Sequence, residues 1–415
     1  ALLNQPEQEQ QKTFWLHWAK QKSLIVSDFE QIEEALRSFN FSEIQRLLIS
    51  QRMPKEQQVA ALKALNYRHS SAALALSELS DEYAAASRQQ FRNHALEELK
   101  VYPQGAQLAF QQRDFGGVTY SGITLAVARV LDDHWYARLD ADSGTIKVTE
   151  SKKIDFAKED YVRLALNRQL HNGSLDLSVN HSNSDIQSRT GAAIARHWQI
   201  TQKSSLSLGY NWKDRTDSSG LMYAVGQKSG LWLRGYQQIT ARDSFSWGIE
   251  KSQYSTRYNE KIGTGQSFEL QAAHTVFFQN PTWLVRAGFD YQKNNLNEKT
   301  LTKLPNYPVD NEPLNTSSLL VEKYKYAYIG TSLQRGTPGA LNRTVPQYSW
   351  MIDAVVGHQW PDKKITYAVT AGIGTEVFGD DELALNVGYQ SAPKSQFENK
   401  PGGTLGVSYS LRFGR

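Results

Sequence analysis

Five carboxylates recur on the polar face of segments in which polar and apolar residues alternate, and they are the side chains best suited to chemistry. Asp and Glu side chains along one wall of a pore favour cations and accept hydrogen bonds from hydroxyl and amino groups. Pairing of the same carboxylates with arginine would instead stiffen the protein without guiding a solute. The sequence leaves both interpretations open. The five residues are Glu250, Glu269, Asp290, Asp353 and Glu376.

Tyr254, Tyr326 and Tyr328 fall on the same polar face. An aromatic ring offers an amphipathic surface that stacks on a sugar ring. Such rings also pack against loops that fill the interior of a barrel, which is their commoner role. Together with the carboxylates, the three tyrosines are candidates for guiding a polymer through a lumen.

No arrangement of residues predicts a catalytic site, a cofactor or a metal. The histidines are scattered without a helical His-x-x-x-His pair, no Gly-x-Ser-x-Gly turn occurs, and no glycine-rich loop precedes a helix. The chain has no cysteine, which excludes disulfides and thiolate metal sites. Some barrel enzymes place catalytic groups on strands far apart in sequence, so a barrel hydrolase stays an alternative.

The strands that must position these residues are clearest at the end of the chain. From Leu405 to Phe413 apolar residues alternate with polar ones, as in a strand with one apolar and one polar face. About ten residues suffice for a tilted strand to cross a bilayer, and this stretch resembles the C-terminal signal of outer-membrane β-barrels. Segments of the same kind recur from Gly105 onward, and their alternation and turn signals predict about sixteen strands.

The connections between the predicted strands alternate in length. Tight turns such as Thr240–Asp243 alternate with longer polar loops, which is typical of outer-membrane barrels. The predicted loops are Lys147–Asp160, Asp214–Gln227, Tyr258–Ile262 and Lys293–Ser318. We predict that Lys293–Ser318 folds over or into the extracellular mouth. The alternation fails between residues 335 and 364, because Arg335–Pro346 is long where a short turn is due. Either the strand count differs there, or one periplasmic connection is a loop.

The composition changes sharply at residue 104. Residues 1–104 contain no glycine, whereas all 28 glycines lie from Gly105 onward. Because glycine is disfavoured inside helices and useful in turns and close-packed strands, we predict a helical domain over 1–104 and a β-barrel over 105–415. The short helices are typical either of tetratricopeptide-like repeats, as in an α-solenoid, or of plain helical hairpins, and the pattern does not separate the two.

Charge and hydropathy narrow the classes of protein to which the chain can belong. No run of about eighteen apolar residues occurs, so a transmembrane helix is excluded. The formal charge of +4 is too small to imply a nucleic-acid partner. The chain begins within a helical pattern, and we expect it to be a fragment of a longer exported precursor.

This organisation resembles that of the outer-membrane secretins of exopolysaccharides, which serve the cellulose, poly-N-acetylglucosamine and Pel systems. A glycine-free helical part runs into the barrel through Leu99–Gly105, a junction that looks most like that of the Pel exporters. The resemblance implies a non-enzymatic outer-membrane channel for a biofilm polysaccharide, passed from the periplasm to the cell surface. An acidic lumen would suit a partly deacetylated, cationic amino-sugar polymer.

The resemblance also implies partners. They are the polysaccharide, outer-membrane lipids, periplasmic synthase or modification proteins bound through the helical repeats, and a small outer-membrane lipoprotein ring. A surface receptor or adhesin, such as a phage receptor with a plugged barrel, is the main alternative function, and a barrel hydrolase is the second.

Overall fold

The computed structural model describes most of the chain. In the N-terminal part it describes residues 14–16, 18–19, 21–37, 40–49, 53–65, 67–78, 88, 91 and 95. From residue 103 onward it describes all residues except 149–154, 186, 202, 279–280, 298–299, 302–314, 342–347, 361–362, 380, 393–400 and 414–415.

The first compact unit comprises residues 1–101 together with Asp132–His134 and Gln169–Gly173. Its helices include α1 (Asp28–Arg37), α2 (Phe41–Ile49), α3 (Lys55–Ala64) and α4 (Arg68–Ser77). A core that includes Ile32, Ile44 and Leu65 holds α1, α2 and α3 together. A second core contains Val59 of α3 and Ala72 and Ala75 of α4. No helix among the described residues has the length and apolar composition needed to cross a membrane.

The second unit is a closed antiparallel barrel of sixteen strands, as predicted, in which each strand pairs with its neighbours in sequence and β1 pairs with β16. The strands are β1 Gly105–Asp114, β2 Val118–Val130, β3 Trp135–Val148, β4 Asp155–Leu170, β5 Gly173–Ser184, β6 Arg189–Thr201, β7 Ser204–Asp214, β8 Gly226–Gln238, β9 Asp243–Thr256, β10 Lys261–Phe277, β11 Thr282–Leu296, β12 Lys323–Arg335, β13 Tyr348–Trp360, β14 Lys364–Thr375, β15 Asp381–Gln390 and β16 Gly402–Arg412.

The outer surface of the barrel is apolar. On β16, Leu405, Val407 and Leu411 are exposed on the outside, as is Phe413 just beyond the strand. Exposed apolar residues at every second position are what lipid requires, whereas the opposite face of each strand can stay polar around a lumen. The barrel is therefore built to span a membrane with its strands.

We name the two ends of the barrel from the positions of its first and last strands. Gly105 at the start of β1 lies opposite Arg412 at the end of β16, and we call this end the near end and the other the far end. The structure explains why the alternation of connection lengths fails between residues 335 and 364. The strand count holds, and the connection from β12 to β13 at the near end is twelve residues long, of which the structure describes Gly336–Leu341.

Other connections differ from the expected lengths. Strand β11 runs to Leu296 and β12 begins at Lys323, so the predicted loop Lys293–Ser318 is displaced towards the C-terminus. That connection contains the short helix α6 (Thr316–Leu319). The connection from β7 to β8, expected to be a polar loop, contains helix α5 (Gly220–Val225). A tight turn, not a loop, joins β9 to β10 because β10 begins at Lys261.

Candidate functional site

Helix α5 is a buried element inside the far half of the barrel. All six of its residues are buried, and the side chain of Ser219 caps it by accepting a hydrogen bond from the backbone N–H of Met222 at 3.0 Å. Its apolar sequence is explained by its surroundings, a core that includes Tyr120 of β2, Ile146 of β3 and Ile262 of β10. A helix from a far-end connection therefore fills part of the lumen.

A second far-end connection packs on the same helix. Leu301, Leu319 and Leu320, which belong to the β11–β12 connection, join the core around α5. The hydroxyl of Ser219 also donates a hydrogen bond to the carbonyl of Leu319 at 2.6 Å. We call α5 together with these leucines the plug. Part of the segment predicted to close the mouth is thus in the plug, although Gly220–Val225 forms its centre.

Arg215 attaches the plug to the barrel wall by charge. Its guanidinium lies 2.9 Å from Asp142 on β3 and 3.5 Å from Glu159 on β4, and 4.1 Å from the ring centroid of Tyr223 in α5. Burial alone would lower the pKa of Arg215, but Tyr223, Glu159 and Asp142 raise that pKa above its ordinary value. A permanent cation therefore joins the helix to two strands.

The same wall carries a second, almost fully buried ion pair. Arg257, in the β9–β10 turn, lies 2.6 Å from Glu159, and Ser182 of β5 donates a hydrogen bond to that carboxylate at 2.8 Å. Arg189 of β6 donates to the carbonyl of Gly226 directly after α5, at 3.0 Å. Buried charges are costly unless they are paired, so this network fixes one place for the plug.

A cavity of about 800 Å³ remains beside the plug. Residues 217–220 bound it on one side, and the walls belong to β1, β2, β8–β12 and β14–β16. Its polar lining is rich in amides, hydroxyls and carboxylates, which can hydrogen-bond sugar hydroxyls. Among these residues are Gln107, Gln111, Glu250, Glu269, Asp290, Gln292, Thr370, Asn386 and Ser408.

The predicted carboxylates divide into three groups. Glu250, Glu269 and Asp290 line the 800 Å³ cavity together. Asp353 lies elsewhere, in a two-pronged ion pair with Arg286 whose two hydrogen bonds are both 2.7 Å long. Glu376 was expected on the polar face of a strand, but β14 ends at Thr375, so Glu376 lies in the near-end connection that follows.

Within the cavity the carboxylates differ in their partners. Glu250 forms an ion pair of 2.8 Å with Lys228. Glu269 on β10 and Asp290 on β11 are direct partners in the strand register, which places two like charges side by side. Among the described residues, the carboxylate of Glu269 has no hydrogen-bond or ion-pair partner. Like charges opposed across strands are destabilising, so this position is one that a cation would relieve.

Three tyrosines of β12 form a ladder, of which the sequence analysis named only two. Tyr324, Tyr326 and Tyr328 lie on the lumen face of β12, with centroid separations of 6.2 Å and then 5.3 Å. Tyr328 borders a second cavity of about 390 Å³ together with Glu269 and Asp290. Tyr324 continues the same two-residue alternation and could have been found from it. Tyr254 is buried in the core around α5 and also borders the 800 Å³ cavity.

Comparisons with known proteins agree with this architecture. A family model described as the C-terminal β-barrel domain of PelB matches residues 100–412. A solved structure titled "Bacterial polysaccharide outer membrane secretin" is similar at a TM-score of 0.51 and 9% identity, covering 75% of this chain and 99% of that chain. No curated protein matches.

Two further solved barrels are similar at lower scores. CdiB from Acinetobacter baumannii has a TM-score of 0.42 and 10% identity, over 74% of this chain and 60% of that chain. OccK5 (OpdH) from Pseudomonas aeruginosa has a TM-score of 0.38 and 10% identity, over 75% of this chain and 97% of that chain.

Proposed function

The chain belongs to the family of PelB C-terminal β-barrel domains, and we propose that its barrel is an outer-membrane channel that exports a polysaccharide to the cell surface. The observation that carries this proposal is the 800 Å³ cavity beside the plug, with its lining of amides, hydroxyls and carboxylates. Such groups exchange hydrogen bonds with sugar hydroxyls at many equivalent positions, so a chain of sugars can slide from one to the next. The secretin-like fold supports the same function.

We further propose that the cargo is cationic. Glu269 and Asp290 would neutralise the amino groups of a partly deacetylated amino-sugar polymer, while the rings of Tyr324, Tyr326 and Tyr328 stack on its sugars. A carboxylate wall in a bore that salt only partly screens concentrates cations. Glu250 belongs to this wall but is already paired with Lys228, so its contribution should be smaller.

The double change Glu269→Gln and Asp290→Asn tests the cargo charge. It keeps side-chain size and removes two negative charges, so we expect the reversal potential in a salt gradient to shift away from cation preference and polymer secretion to fall severalfold. The matched control is Asp185→Asn with Glu322→Gln, which removes the same charge from exposed far-end positions. Equal reversal potentials and equal secretion in the two double variants would contradict the guiding wall.

A plugged receptor is the second candidate function, and the nearly complete burial of α5 favours it. A receptor barrel would keep its plug in place, whereas an export channel must displace it for the polymer. Current through the purified full-length chain in the presence of soluble amino-sugar oligomers separates the two. Brief openings that the oligomers block are expected of a channel. Hydrolysis of lipid or peptide by the barrel would argue for an enzyme instead.

The placement of the two ends can be tested by labelling. We propose that the near end and the helical unit face the periplasm, where the helices would meet synthase or modification proteins and a lipoprotein ring. With Ser188→Cys, at an exposed far-end position, an impermeant maleimide should label intact cells. With Ala241→Cys, in an exposed near-end turn, labelling should require permeabilised cells. The reverse pattern would invert the topology.

A further inference from the structure

The β12–β13 connection is unusual for the end at which it lies. At the near end, β8 ends at Gln238 and β9 begins at Asp243, so only four residues join them. By contrast, β12 ends at Arg335 and β13 begins only at Tyr348. The described part of this longer connection, Gly336–Leu341, turns into the barrel, and Pro338 and Leu341 are buried.

The tip of this segment is a stiff turn. The N–H of Ala340 donates to the carbonyl of Thr337 at 3.2 Å, and Gly339 has a φ of +77°. Proline in the second position and a glycine with positive φ in the third define a type II turn, in which both central residues suit their backbone conformation. The segment therefore holds its shape as a unit.

The turn is docked on the lumen faces of four strands. The amide of Gln107 on β1 donates to the carbonyl of Gly339, and the N–H of Gly339 donates to Glu382 on β15 at 3.1 Å. On β14, Pro338 closes the space above Gly372, where a Cβ would lie 3.3 Å from the proline ring. On β16, Ser408 faces Gly339.

Glu382 is the fixed side of this attachment. Its carboxylate also accepts a hydrogen bond from Ser349 of β13 at 2.7 Å and pairs with Arg412 of β16, so the wall holds it in place whether or not the turn is there. Among the described residues, two hydrogen bonds and the contacts of one proline are the main attachments of the turn to the wall. The plug, in contrast, is held by a large apolar core and buried ion pairs.

Pro338 and Gly339 line the same 800 Å³ cavity as residues 217–220 of the plug connection. The route beside the plug therefore meets the turn on its way to the near end. We propose that Gly336–Leu341 is an inner gate, a rigid turn that blocks this route and leaves the lumen for cargo to enter. The proposal rests on the proposed function and assigns that channel a second barrier, in series with the plug.

A disulfide can lock the turn in place. A Cβ at Gly339 would lie 3.6 Å from the Cβ of Ala384 on β15, which is within the separation of about 3.5–4.5 Å found in disulfides. The chain has no other cysteine. In cells carrying the full chain with Gly339→Cys and Ala384→Cys, we expect oxidation to lower polymer secretion at least tenfold and a permeant reductant to restore it. Each single variant, treated identically, is the control for strain at residue 339, and heat-modifiable migration reports folding.

A second measurement follows the turn without any cargo. The thiol of the Gly339→Cys variant should react with a soluble maleimide only while the turn is out, and adding Glu382→Ala should speed the reaction severalfold because one attachment is lost. Equal secretion by the oxidised and reduced double variant would overturn the inner gate, as would a labelling rate unaffected by Glu382→Ala. If labelling responds as expected but the wild-type chain secretes no polysaccharide, the inner gate stands and the proposed cargo is wrong.

Discussion

Removing the plug helix should raise the ionic conductance of the purified barrel at least tenfold. Replacing Ser218–Val225 by Gly-Ser removes the centre of the apolar core while leaving Arg215 on its carboxylates. A sixteen-stranded barrel has an aqueous bore once nothing fills it. The strands do not depend on α5 for pairing, since β7 and β8 remain hydrogen-bonded along most of their length. Single-channel recording in planar bilayers measures the change.

Changing an exposed far-end connection is the matched control for that experiment. Replacing Gln187 and Ser188, which are exposed between β5 and β6, by glycines should leave the conductance at its wild-type value, because the chain length is kept and the carbonyl of residue 187 can still accept a hydrogen bond from Arg257. A plug-deleted barrel that migrates as folded but conducts no better than wild type would show that α5 does not obstruct the route. In that case the inner gate or the plug leucines of the β11–β12 connection would obstruct the route instead.

The largest effect on assembly is expected from charge on the outer face of the closing strand. Tyr409 lies between Leu383 of β15 and Leu108 of β1, and its hydroxyl donates to Asp381 at 2.5 Å. Tyr409→Asp with Phe413→Asp would expose two carboxylates to lipid, at a cost of up to about 3 kcal/mol each, and less near the interface. The first would also face Asp381 directly. We expect the double variant not to reach the outer membrane as a heat-modifiable barrel.

Thr404→Asp gives the comparison on the same strand. Thr404 is exposed on the lumen face and borders the cavity, so a carboxylate there meets water. This variant should assemble normally. Assembly of the outer-face double variant at wild-type levels would mean that β16 does not contact lipid in the way the apolar surface indicates.

The alternation of polar and apolar residues was sufficient to predict the barrel, because lipid imposes it on each strand separately. Leu405 to Phe413 shows it as clearly as any segment. Helix α5 was not predicted, because six residues are too few to show a helical period. Gly220–Val225 also lies between polar residues that are typical of a loop. Its run of apolar residues was the available signal.

Partners of the carboxylates could not be read from the sequence, because they depend on register between strands. Glu269 and Asp290 are opposed only because β10 and β11 pair with that offset. Lys228 and Arg286 reach Glu250 and Asp353 through the same kind of non-local geometry. The unusual length of Arg335–Pro346 is visible in the sequence, but no local signal indicates that Gly336–Leu341 folds inward.

The plug also constrains how this protein can change over generations. Exposed residues in the loops of a surface protein can drift freely, and that freedom lets cells escape antibodies and bacteriophages. Here the side chains of two far-end connections are locked into one core by Leu221, Met222, Leu301 and Leu319. Substitutions there must be compensated together, whereas the exposed residues around Ser188 can vary singly. We therefore expect the plug sequence to change more slowly than the exposed residues of the same end of the barrel.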